Sequence, residues 1–334
     1  MIDKGSIIKE DEQCISPSKW VTSWAKQKDE QQLLALFRSA FKDTMSTAQW
    51  RWKYGQSDPL GAVAREQGEI IAFYGGIPRN ICICGQKHSA VQIGDVMVAP
   101  HRQRVFTRHG ALFKVASAFV EGVVGEDKAY LCGYGFPSER HNRLGELLGL
   151  YGSIGKLLEA TWPPIYRNPA LLYTVRQLDT SHAHKINQLW ETMAENLRHR
   201  VVLERDSSYV THRYLQHPEV NYISLFVTQR ITGKPVGLII LRDHGETGVE
   251  LLDMIAASRH MPLLVKIAQH KSAQIKRSQL FSWITQSVVD CVVETDPQVN
   301  DLNLPLPTII WQQKNNILHT YGKWWLIGGD TDFR

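Results

Sequence analysis

The chain is 334 residues long, too long for one small core, and at about 100–200 residues per domain it is expected to form two. Hydrophobic residues make up 43% and charged residues 21%, a globular balance that excludes a long disordered tract. A net charge of +5 without interleaved basic and aromatic residues gives no reason to expect a nucleic-acid partner, and no run of about eighteen apolar residues reads as a membrane span or signal peptide. The five cysteines (Cys14, Cys82, Cys84, Cys132 and Cys291) are odd in number and contain no C-x-x-C pair, so neither a disulfide framework nor a zinc site is expected, and a reducing cytoplasm fits.

A polar lead occupies residues 1–30. Leu33, Leu34, Phe37 and Phe41 then fall at helical spacing and predict an amphipathic helix over 31–41. Trp50-Arg-Trp-Lys-Tyr54 leads through Asp58-Pro59 to Ala62–Arg65, which Gln67-Gly68 separates from Ile70–Tyr74 as a tight hairpin turn would. Further strands are predicted at Asn80–Cys84, Val91–Val98 and Ala129–Gly133, with a helix over 108–124 between the last two and another helix after them.

The opening is repeated. Trp50-Arg-Trp-Lys-Tyr54 matches Val210-Thr-His-Arg-Tyr214, each followed by a proline and a strand; Gln67-Gly68 matches Thr232-Gly233; Met97-Val-Ala99 matches Met254-Ile-Ala256. Tyrosine and methionine are 43 residues apart in the first copy and 40 in the second, so the similarities keep register and predict a duplication. Trp162-Pro-Pro164 stops any helix or central strand and predicts a boundary there, giving units over 31–162 and 163–334.

Gly94-Asp-Val-Met-Val-Ala-Pro100, the loop Pro100–Gly110 before a helix, Tyr134-Gly-Phe-Pro-Ser138 and Leu147-Leu-Gly-Leu150 together resemble the GNAT acetyltransferase superfamily over residues 30–151. The second half is similar to the C-terminal halves of tandem GNAT-like proteins from bacterial polysaccharide gene clusters, through Arg213–Pro218 and the Trp325 to Gly329-Asp-Thr-Asp332 ending. The resemblance implies an α/β (α+β) fold of two tandem acyl-CoA N-acyltransferase domains, each a mixed, mostly antiparallel twisted sheet flanked by helices. It implies an enzyme that moves an acyl group, acetyl first, from coenzyme A to a small primary amine such as an amino sugar, with acetyl-CoA as co-substrate and no metal. An aminoacyl-tRNA-dependent peptidoglycan transferase and a non-catalytic binding module are the rival readings.

The family's loop uses glycines to bring backbone amides to the cofactor pyrophosphate, and this loop has none before Gly110. Arg102, Gln103, Arg104, Thr107, Arg108, His109 and Gly110 are the candidate cofactor residues, the arginines supplying charge and the helix start its amides and dipole. The resemblance assigns the thioester carbonyl to a backbone amide of Met97 or Val98. Asp95, two residues before Met97, is a candidate general base or a hydrogen-bonded structural carboxylate. Ser138 is a natural N-cap, which makes Glu139 a dipole partner. Tyr134 and Tyr151 are the candidate acids, with core packing as the alternative, and Asn142 is a candidate contact to the pantetheine arm. His182 and His184 are too differently directed for a metal pair. The second half lacks a comparable loop after Met254 and is expected to wall the acceptor cleft; Trp311, Trp324 and Trp325 read as core or as a sugar-stacking cluster.

Overall fold

The computed structural model describes residues 20–55, 57–100, 108–312, 317–331 and 333. The first part runs β1 (Val21–Trp24), α1 (Glu30–Phe41), α2 (Thr47–Tyr54), β2 (Gly61–Glu66), β3 (Glu69–Ile83), β4 (Gln86–Val98), α3 (Ala111–Val123), β5 (Cys132–Gly135), α4 (Glu139–Leu147) and β6 (Tyr151–Trp162). The second part repeats that order: β7 (Tyr173–Gln177), α5 (Ala183–Asn196), the short β8 (Val201–Leu203), α6 (Ser207–Val210) continuing as a π-helical turn over Thr211–Leu215, β9 (Ile223–Gln229), β10 (Pro235–Asp243), β11 (Val249–Ala256), α7 (Met261–Gln274), β12 (Leu280–Ile284), α8 (Gln286–Val292) and β13 (Gln298–Ile309). A last short strand, β14 (Trp324–Trp325), pairs with β8, and both stand outside the repeat.

Local chemistry explains most elements. Leu33 and Leu36 bury one face of α1, and the Phe37 and Phe41 rings meet one turn apart at 4.9 Å. Ser46 starts α2 by accepting from the Gln49 amide at 3.0 Å. Gln67 and Gly68 both have positive φ, 52° and 89°, as the two-residue turn between β2 and β3 requires. Two expectations are corrected. The strands predicted at Ile70–Tyr74 and Asn80–Cys84 are one 15-residue strand, β3, which ends at Ile83, and β1 lies inside the polar lead, where four residues are too few to show a period; Trp50–Tyr54, which leads into the hairpin, is helix.

The strands form one sheet in the order β1-β2-β3-β4-β5-β13-β6-β12-β11-β10-β9-β7. Each part builds its sheet up to a parallel pair, β4–β5 or β11–β12, and the next position is taken by the last strand of the other part. β13 meets β5 at Thr308 and Tyr134, β6 runs antiparallel to β12 from Leu158 to Trp162, and β6 and β13 pair with each other through the middle. This is the expected mixed α/β class in two repeated parts, with exchanged final strands.

The repeat extends to side chains. Tyr54, at the end of α2, donates to Asp95 Oδ2 at 2.7 Å, and Tyr214, in the π-helical turn, donates to Asp253 Oδ2 at 2.8 Å. Between the two copies the equivalent residues Trp52 and His212 stack 16° from parallel, and the Trp52 indole donates to the His212 carbonyl at 2.8 Å. A buried cation supports each carboxylate: Lys53 lies 2.7 Å from Asp95, and Arg205 donates to Asp253 at 2.9 Å while also holding Asp330 at 2.6 Å. Arg205, Asp253 and Asp330 have no exposed side-chain surface. Removing the cation would strand two carboxylates away from water, so Arg205→Met is expected to lower stability by about 3–5 kcal/mol in urea denaturation. Arg277→Ala, which breaks a partly exposed pair with Asp243, should cost under about 1 kcal/mol in the same measurement.

Candidate active site

β4 and β5 pair in parallel for four residues, Ala90–Ile93 with Cys132–Gly135, and then separate. The separation has a cause in β4: Asp95 sits at φ 48°, and a bulge there sets two residues of β4 against Tyr74 of β3. A cavity of about 510 Å³ occupies the gap. Phe37 and Phe41 of α1, Leu112 and Ala116 of α3, and Leu144 and Leu148 of α4 make it largely apolar. Pro307, Thr308 and Ile309, from β13, close one wall, so the second part of the chain completes a site that the first part opens.

The predicted residues divide into several groups. Asp95, Tyr134 and Tyr151 all border the cavity. Asp95 is held by Tyr54 and Lys53, both on Oδ2. Tyr134 is buried, its ring against Phe136 and Trp324 and its hydroxyl without a hydrogen bond among the described residues, and burial holds its pKa well above 10. Tyr151 shares a 2.9 Å hydrogen bond with Tyr74; burial pushes the Tyr151 hydroxyl up to about 12 and that of Tyr74 well above 10. Both tyrosines stay protonated at neutral pH.

Met97 is fully buried and paired opposite Phe73. The Ala99 amide donates to Ile71 of β3 at 2.8 Å, so alternation turns the Met97 amide to β3 as well and the Val98 amide to the edge on the β5 side. Gly110 is the N-cap of α3, with no side chain to cap the first turn. Arg108 and His109 are exposed just before it; Arg108 donates to the Leu148 carbonyl at 3.3 Å and lies over the Trp311 ring. Arg102, Gln103, Arg104 and Thr107 lie outside the described residues. Asn142, the candidate pantetheine contact, is 4% exposed: its amide donates to Glu146 at 2.9 Å, and its buried Oδ1 has no partner among the described residues. Trp311 stands apart from Trp324 and Trp325, packing on Phe113 while the other two are buried in the core.

Sequence reasoning missed Tyr74, Asp43 and His141 as lining residues. His141, in the first turn of α4, has its Nδ1 3.1 Å from the Ser138 hydroxyl, and burial, with Arg140 beside it, holds its pKa below the usual value. Ser138 is the N-cap expected, but its hydroxyl makes no capping bond and is turned to the imidazole. Among the described residues no group of three or more His, Cys, Asp or Glu could hold a metal ion, and no helix is long and apolar enough to cross a membrane.

The equivalent gap in the second part is filled by the chain itself. β11 and β12 pair only at Val249–Glu250 and Leu280–Phe281, and beyond them Ile327 bridges Ile284 while Thr285 donates its amide to Leu326. Arg213 then holds the Gly329 and Thr331 carbonyls, and Arg205 holds Asp330. The connection from β11 to α7 has four residues, 257–260, against twelve, 99–110, from β4 to α3.

The open cleft depends on close contact between α4 and β6. A Cβ on Gly145 would lie 2.0 Å from the Tyr151 ring. Gly145→Ala is therefore expected to push Tyr151 off Tyr74, lowering stability by about 1–3 kcal/mol in urea denaturation.

Residues 23–141 match a profile of the acetyltransferase (GNAT) domain. No curated protein sequence matches the chain. Among solved structures the chain is similar to a GCN5-related N-acetyltransferase from Anabaena variabilis, at 13% identity and TM-score 0.66, covering 86% of this chain and 72% of that one. It is likewise similar to a probable N-acyltransferase of unknown function from Enterococcus faecalis (11%, TM-score 0.65, 86% and 72%) and to Saccharomyces cerevisiae N-myristoyltransferase with bound myristoyl-CoA (10%, TM-score 0.58, 92% and 84%). With the strand separation, the α3 start and the repeated topology, these similarities give the chain a GNAT-like fold in which residues 23–141 match the acetyltransferase (GNAT) domain.

Proposed function

We propose that this protein transfers an acyl group from coenzyme A to a primary amine in the cleft between β4 and β5. The observation that carries the reading is the open apolar cavity at that strand separation, beside a helix start with no side-chain cap. Acyl-CoA supplies an activated thioester carbonyl. The α3 amides behind Gly110 and the positive end of its dipole suit the pyrophosphate, with Arg108 and the loop arginines Arg102 and Arg104 adding charge. On this reading a backbone amide of β4 at Val98 would donate to the thioester carbonyl, and Tyr151 would donate a hydrogen bond to the sulfur. Residues 31–162 would hold the donor, and 163–334 would wall the acceptor side. The acceptor is read as a small amine, an amino sugar first.

Acetyl is the simplest acyl group. The cavity volume and its phenylalanine and leucine lining favour a second reading, a longer acyl chain, in keeping with the myristoyl-CoA held by the yeast neighbour.

Calorimetry with acetyl-CoA and octanoyl-CoA tests both. One site per chain is expected, because the second gap is filled; two equivalent sites, or none for either ligand, would reject the proposal. Tighter binding of octanoyl-CoA would select the longer chain. Charge-assisted hydrogen bonds contribute about 1.5–3 kcal/mol, so Arg108→Ala should weaken binding about 10- to 150-fold. Arg277→Ala, in the second part, should leave the affinity unchanged.

A further inference from the structure

Amide formation needs a group that takes a proton from the incoming amine, and the cavity offers few. Charged side chains on its lining are Asp43 and Asp95, and the other titratable ones are Tyr74, Tyr134, Tyr151 and His141. The tyrosines are protonated at neutral pH, since burial raises all three hydroxyls, and so are not bases there. Asp95 already receives a proton donor from Tyr54 and an ammonium from Lys53 on one oxygen. Asp43 is exposed on the segment after α1 and accepts from the Thr44 amide. A carboxylate is intrinsically a weaker base than an imidazole.

Resting on the acyl-transfer reading above, we propose that His141 is the catalytic base of the cleft, held by Ser138 through Nδ1 and presenting Nε2 to the cavity. The geometry is specific. Ser138 occupies the N-cap of α4, yet its hydroxyl accepts no amide of the first turn and faces His141 Nδ1 at 3.1 Å. With Nδ1–H donating to that hydroxyl, the lone pair sits on Nε2, which has no hydrogen-bond partner among the described residues. Neighbours that bear on its charge are Arg140 on α4, which disfavours the imidazolium, and the carboxylates of Asp43 and Asp95 across the cavity. Desolvation and Arg140 keep the ring neutral at pH 7.

The proton then has a balanced path. Nε2 takes one proton from the nitrogen as the C–N bond forms and the C–S bond breaks. The resulting imidazolium is more acidic than an alkyl thiol, whose pKa is about 8.5, so returning that proton to the departing thiolate is downhill. Tyr151, near 12, is poorly matched to protonate a thiolate outright and steadies it by a hydrogen bond instead. One imidazole thus serves as base and then acid, and Ser138 is a positioning residue.

Bromoacetyl-CoA tests this without knowledge of the acceptor. In the alkylation a nucleophile bonds to the acetyl methylene and bromide leaves, so an unprotonated Nε2 within reach of the acyl carbon is labelled. The expected result is one adduct per chain, mapped by mass spectrometry to His141, blocked by excess CoA, and slowing as pH falls through a value below 6.5. His141→Gln should lose the adduct while binding CoA within about twofold of the parent, and Ser138→Ala should label several-fold more slowly. If CoA binds but His141 stays unlabelled, or the label falls on another residue and persists in His141→Gln, the base assignment is overturned and the acyl-CoA site stands. If neither CoA nor bromoacetyl-CoA binds the parent, the acyl-transfer reading fails and takes this assignment with it.

Discussion

The structure depends on an exchange of strands. β6 and β13 lie side by side and antiparallel, and each is hydrogen-bonded on its other edge to the sheet of the opposite part. A parallel pair that separates, as β4–β5 and β11–β12 both do, leaves the outer edge of its last strand unpaired, and an unpaired edge is a liability. Exchange removes both edges at once and makes one continuous sheet. It also decides where the cleft wall comes from, because Pro307–Ile309 can reach the first gap only by lying beside β5. Units that are separate in sequence are therefore not separate in space.

The two parts keep one skeleton and use it differently. In each, a tyrosine from the preceding helical segment anchors an aspartate on the bulged strand, and a buried cation neutralises it. In the first part the cation is Lys53, one residue before the tyrosine. In the second it is Arg205, whose planar fork can hold a second carboxylate, and it takes Asp330 from the tail. That extra bond fastens residues 324–331 across the second gap. Burying three charges is costly unless all are paired, and here burial raises the Asp330 pKa while Arg205 lowers it. The same Tyr–Asp pair thus frames an open cavity in one part and a filled one in the other.

Much of the fold was legible because its signals are local. The helical spacing of Leu33 to Phe41, the Gln67-Gly68 turn and the strand-to-helix step after Val98 each lie within a dozen residues, and the repeated Tyr and Met positions mark equivalent sites in both copies. The Tyr54–Asp95 and Tyr214–Asp253 bonds give that register a physical meaning. The strand exchange was not legible, since the pairing of Thr308 with Tyr134 spans most of the chain and β13 carries no motif. The burial of Asn142 was not legible for a related reason: it comes from β6 and β13 packing on α4, which helical periodicity alone does not contain. His141 was passed over because a histidine in a helix's first turn reads as surface until the cavity beside it is seen.

The chemistry of the cleft follows from what burial does to each kind of group. Desolvation raises the tyrosines so that they stay protonated, and together with Arg140 it favours the neutral form of the histidine. Asp95 is bound to Lys53 and Tyr54 as part of the bulge that opens the gap. One apolar cavity thus keeps its buried hydroxyls protonated and, at its rim, favours a neutral imidazole. Asp95, which the sequence left open as base or structural carboxylate, meets Tyr54 and Lys53 in the bulge beside it.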